Sequence, residues 1–139
     1  MPETHTSWQS AKADAQRMER EIAALIPEEA IVSVEQKPTG ALFPCNNTQH
    51  TWYGSTTIRL TDGSDVEGIV KTIEEHYQEE DRFDIRTRLN FAREYEVQLM
   101  SPTSAETYIF GKTAADTVRI DSGSVCFTLP EGVYPGGKF

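Results

Sequence analysis

From Arg82 onward the sequence is written almost wholly at a period of two. Phe83, Ile85, Thr87 and Leu89 share one parity, and Arg82, Asp84, Arg86 and Arg88 take the other. Tyr95, Val97 and Leu99 repeat the alternation. Tyr108 and Phe110 follow with Ile109 opposed, then Val118 and Ile120, then Val125, Phe127 and Leu129. Successive side chains of a strand point to opposite faces, so each segment reads as a strand with one apolar side. Turn-forming residues at 102–105, 113–116 and 122–124 separate them. Short strands at this spacing predict an antiparallel meander of about five strands.

The first half is written at other periods. Trp8, Ala11, Ala15, Met18, Ile22 and Leu25 are three and four apart, which predicts a helix over 7–26. Thr6 or Ser7 can cap its start and Pro27 ends it. Two alanines make the stripe narrow, so it suits packing on the domain's own sheet better than a coiled-coil dimer. Residues 30–36 and 52–60 read as strands, with a loop over 37–49 between them. Ser64-Asp65-Val66-Glu67 has the form of a capping box, with the Ser64 hydroxyl and the Glu67 carboxylate each satisfying the other's amide. Val66, Ile69, Val70, Ile73 and Tyr77 then mark one apolar helical face as far as about residue 80.

The order is helix, two strands, helix, then strands. The expected fold class is α+β: an antiparallel meander sheet with an N-terminal helix and a central amphipathic helix packed on one face. The other face then meets solvent, which accounts for the charged parity of 82–88. At 139 residues one domain is expected, over 7–130, with a polar tether at 1–6 and a loosely ordered tail at 131–139.

The chain carries 22 acidic and 13 basic side chains, a net charge of −9. That balance argues against nucleic-acid binding, which needs clustered cations. No run of about 18 apolar residues suggests a membrane-spanning helix. The charge is unevenly placed. Residues 62–81 hold eight acids and one lysine, and 82–93 hold four arginines and one aspartate. One reading is a solvated helix beside a strand that partly neutralises it. The other is a surface that attracts a basic partner, with Glu74, Glu75, Glu79 and Glu80 as its candidate residues.

No catalytic constellation emerges. His76 and Glu80 stand one helical turn apart but have no third ligand, so no metal is expected, and no cofactor. Asp62-Gly63-Ser64-Asp65 lacks the ligand spacing of a calcium loop. There is no nucleophile elbow and no phosphate-cradling or dinucleotide-binding glycine motif. Cys45 with His50 as base has no mechanistic spacing to support it. Trp8, Trp52, Tyr53 and Tyr108 are expected in the core rather than in a ligand groove. Asn46-Asn47-Thr48 matches a glycosylation sequon, which carries meaning only in a eukaryotic secreted protein.

Cys45 and Cys126 are too few and too far apart for a zinc site, and no C-x-x-C is present. They are either two buried thiols or one disulfide. Cys45 lies in the stretch Leu42-Phe43-Pro44-Cys45-Asn46-Asn47-Thr48, a poor place for an inert core thiol, and Cys126 lies in the expected last strand. A bridge would be worth up to about 4.5 kcal/mol in the chain-entropy model. Residues 1–6 have no basic and apolar leader character, so the chain is either cytosolic or a mature form whose leader has been removed.

A helix after a polar start, a cysteine loop between the first strands, a central amphipathic helix and a meander closing on Ser124-Val125-Cys126-Phe127 resemble the ectodomains of small actinobacterial lipoproteins. The resemblance implies a lipidated cysteine before the domain and an internal disulfide, here between Cys45 and Cys126. It implies no catalytic residue. The expectation is a non-enzymatic, extracytoplasmic, monomeric domain, tied to the membrane only through a lipid anchor that this chain lacks, and binding an unknown partner at the cell envelope. The alternative is an intracellular acidic module, of the immunity or antitoxin kind, that masks a basic partner.

Overall fold

A computed structural model describes residues 7–139. The expected tether, with His5 and Thr6, lies outside the described residues. The fold is α+β, with two long helices and a seven-stranded antiparallel sheet. In chain order the elements are α1 (Trp8–Ala23), β1 (Ile31–Gln36), β2 (Ala41–Pro44), β3 (His50–Leu60), α2 (Val66–Gln78), β4 (Asp84–Leu89), β5 (Tyr95–Met100), β6 (Thr107–Ala114) and β7 (Thr117–Gly123). A single 3-10 turn, Glu28–Ala30, links α1 to β1.

The sheet order is β1-β3-β7-β6-β5-β4, with β2 paired to the first residues of β3. β4 to β7 form the expected meander. β4 lies at the edge far from β3, so the chain must cross the sheet between them, and α2 makes that crossing. Both helices cover one face. The inward parity is Ile58 and Leu60 on β3, Val97 and Leu99 on β5, Tyr108 and Phe110 on β6, and Val118 and Ile120 on β7, all buried. Met18 and Ile22 of α1 and Val66, Val70, Ile73 and Tyr77 of α2 close this main core. A second, smaller cluster joins Ala11, Ala15, Leu42, Trp52, Phe127 and Phe139. The two alanines explain the narrow stripe: they let α1 approach the Trp52 ring. Gly54 leaves room for the same ring, since a Cβ there would collide with it.

Several local expectations change. Ser7 caps α1, accepting from the Ser10 amide at 3.1 Å. The cap of α2 is Asp65, which accepts from the Gly68 amide at 3.1 Å, and not Ser64. The Ser64 amide is already taken by the Asp116 carboxylate at 3.1 Å, so the reciprocal bond from Glu67 has no role. Glu67 instead pairs with Lys71. The loop over 37–49 contains strand β2, whose Pro44 is tolerated because β2 is short and lies at the sheet's edge. Conversely, 125–129 is not a strand. The Ser124 hydroxyl accepts the Trp52 amide at 2.9 Å, where a ladder would use a carbonyl, and among the described residues a single bridge, His50 to Phe127, follows. The residues after 130 form no regular element, yet Phe139 is buried. Its main-chain groups bond Gly40 in both directions, and its main-chain oxygen accepts from the Trp52 indole at 3.0 Å.

Candidate functional site

Cys45 and Cys126 are joined in a disulfide that spans 81 residues, with Cα atoms 6.0 Å apart. It ties the turn between β2 and β3 to the segment after β7, one residue from the His50–Phe127 bridge. The turn itself is built by Asn46, whose side-chain oxygen accepts from the Thr48 and Gln49 amides, both at 2.9 Å. The sequon asparagine is thus a turn-forming acceptor. With Cys45 bonded, no thiol is available to pair with His50, whose Nδ1 is buried with no partner among the described residues.

The acidic helix does not present its four glutamates as one surface. Glu74 is buried, and its carboxyl group accepts from the Tyr95 hydroxyl and from Gln78. Burial and this carboxylate push the Tyr95 hydroxyl above its ordinary pKa. Glu75 and Glu79 are exposed. Glu80 is half-buried and lies 3.5 Å from His76 and 3.7 Å from Arg82. Among the described residues, no group of three or more His, Cys, Asp or Glu side chains is placed to hold a metal ion.

Two polar clusters lock the helices down, and neither stands out in the sequence. Glu19 of α1 is fully buried. It accepts from the Thr56 hydroxyl at 2.6 Å, from Gln36 at 3.3 Å and from the Ser122 hydroxyl. Between the helices, Glu21 accepts from the Tyr77 hydroxyl at 2.7 Å and from Arg82. Burial alone would raise the Glu21 carboxyl, but Tyr77 and Arg82 outweigh it and hold the pKa below the ordinary value. Burial, and then Glu21, push the Tyr77 hydroxyl far above its own.

The outer face of the sheet carries a different surface. An open cleft of about 700 Å³ lies between the 37–41 segment, β3, β7 and Lys138. Its apolar shelf is Phe43 and Tyr53, whose rings meet edge to face with centroids 5.0 Å apart. Ile109 continues the shelf, and Lys37, Lys138 and the Arg119–Asp121 pair (2.8 Å) stand around it. Of the four aromatics weighed in the sequence, only Tyr53 reaches this cleft. Trp52 is in the core, Trp8 packs on Phe139, and Tyr108 is buried beside a smaller polar groove of about 330 Å³ on the helix side. Lys37, Phe43, Arg119 and Lys138 carry no shared sequence signal, because sheet order and the main-chain pairing of Phe139 with Gly40 bring them together.

The fold and this surface define a disulfide-clamped two-layer α+β domain with one open sheet face. No helix among the described residues is long and apolar enough to cross a membrane. Comparison with protein-family models, with curated proteins and with solved structures finds no match.

Proposed function

We propose that this chain is a non-enzymatic, extracytoplasmic domain of a lipid-anchored protein that binds a partner at the cell envelope. The observation that carries the reading is the Cys45–Cys126 disulfide. Such bonds persist in oxidising compartments, and the cytosol keeps thiols reduced. A binding role is supported by the form of the outer-face cleft, an open aromatic shelf with charged groups around it. The lipid anchor rests on the resemblance in layout to actinobacterial lipoprotein ectodomains.

The test is expression from the gene with its own upstream sequence, in cells fed an alkyne-tagged fatty acid. The protein should take up the label and sediment with the membranes. Unlabelled protein in the cytosolic fraction would overturn the reading and favour an intracellular acidic module.

A further inference from the structure

Phe43 and Tyr53 are 50% and 40% exposed, whereas the other large aromatics of β3, α2 and β6 (Trp52, Tyr77, Tyr108 and Phe110) are almost fully buried. Water-facing aromatics that touch one another on a regular sheet face are an unused apolar surface, and such patches mark interaction sites. This one is rigid. Tyr53 is held by main-chain pairing to Ala41 on one side and to Gly123 on the other, and Phe43 is held opposite Thr51. Rigid aromatic anchors beside arginine are what alanine scanning finds at the centre of protein interfaces.

The charge around the shelf is the reverse of the chain's. Lys37, Lys138 and Arg119 line it, against one carboxylate, Asp121, that is already bonded to Arg119. Among the described residues no carboxylate lies within ion-pair distance of Lys37 or Lys138, and both lysines are exposed. The acidic helix α2 packs on the opposite face of the sheet. At physiological salt, fields fade over about 8 Å, so a molecule arriving at the outer face meets the local cations and not the net charge of the chain. The cleft is also open along the sheet, a form that suits an extended segment laid across it more than a small molecule needing enclosure.

We infer that the partner-binding surface is this outer-face cleft and not α2, and that its occupant is an acidic peptide segment of a protein partner. One apolar side chain of that segment rests on Phe43 and Tyr53, and its carboxylates reach Lys37 and Lys138. The inference rests on the binding role proposed above and specifies where binding occurs and the chemistry of the partner.

The probe is a synthetic pentapeptide with a central phenylalanine flanked on each side by two acidic residues. It is titrated into the oxidised, isotope-labelled protein and followed by amide chemical shifts. The control is the same peptide with Asn and Gln in place of Asp and Glu. Shifts should centre on Tyr53, Ser55, Ile109 and Asp121, and the acidic peptide should bind at least ten-fold more tightly than its amide control. Lys37→Glu with Lys138→Glu should remove that difference at unchanged Tm, since both side chains are exposed, and Phe43→Ala should weaken both peptides. Equal affinity for the two peptides, shifts confined to α2, or no shift at all would overturn the assignment. Saturable binding of dodecyl phosphate in place of the peptide would overturn it too. Each of these failures leaves the envelope reading standing, because fatty-acid labelling tests that reading independently.

Discussion

Glu19→Met isolates the polar interaction that fixes α1 on the sheet. Methionine keeps the length and helix propensity of glutamate and removes the acceptor. Two hydroxyls lose their partner, those of Thr56 and Ser122, at sites 0% and 1% exposed, where no bulk water can replace it. A buried donor left unmade costs about 1–3 kcal/mol, so the pair costs roughly 2–6 kcal/mol. Gln36 adds little, because its amide keeps a 2.9 Å bond to the Gln16 carbonyl. The added apolar surface of methionine offsets about 1 kcal/mol. The expected net loss is about 3 kcal/mol. In urea, with a slope of about 1.5 kcal/mol/M, the midpoint falls by about 2 M. Replacing all three partners by apolar groups of similar shape is close to neutral in general, so Glu19→Met with Thr56→Val and Ser122→Ala should return to within about 1 kcal/mol of the parent. A single variant within about 0.5 kcal/mol of the parent, or a triple variant no more stable than the single, would refute this account of how α1 is seated.

Three further outcomes are expected. Cys126→Ala should lower stability by up to about 4.5 kcal/mol, the loop-entropy value for the 81-residue span, read as a Tm drop that dithiothreitol reproduces in the parent. Asp65→Ala should cost about 1 kcal/mol in urea unfolding, the usual loss of an N-cap side chain, and Glu67→Ala much less, because Asp65 and not the Ser64/Glu67 pair caps α2. The Tyr77 hydroxyl titrates far above 10.0 in the folded chain, so its contribution is fully present below about pH 10 and is lost as pH rises beyond it. Tyr77→Phe should therefore cost about 1 kcal/mol at neutral pH and reduce the fall in Tm between pH 8 and about pH 10.5. Tyr108, raised by burial and by Glu106, and Tyr95, raised by burial and by Glu74, contribute to the fall that remains.

The sequence speaks clearly wherever one residue's environment repeats along its own element. The alternation through β4, β5 and β6 and the apolar face of α2 are of this kind, and both helices lie on the face those patterns select. What escaped it depends on groups far apart in the chain. Glu19 looks like one more surface glutamate of α1, yet it falls beside Met18 on the inward stripe, and its hydroxyl partners are 37 and 103 residues away. Glu74 is buried by Tyr95, from a strand that follows the helix. The capping box fails because Asp116 reaches Ser64 across 52 residues. Strand β2 hides behind Pro44 and Gly40, and the expected last strand is interrupted by one serine hydroxyl. Phe139 sits after two glycines that read as loose chain, but the indole of Trp52 and the backbone of Gly40 hold it. The outer cleft is illegible for the same reason: Arg119 joins Tyr53 only after β3 has paired with β7, and Lys138 joins them only after Phe139 has bonded Gly40.

The compartment, and with it the envelope reading, is decided by the redox state of two sulfur atoms in living cells. Cells making the protein from its native gene are quenched in acid and treated with a maleimide of high mass, with and without prior reduction. Cys45 and Cys126 should take up no reagent until they are reduced, and then two equivalents. Two equivalents taken up without reduction would contradict an extracytoplasmic domain.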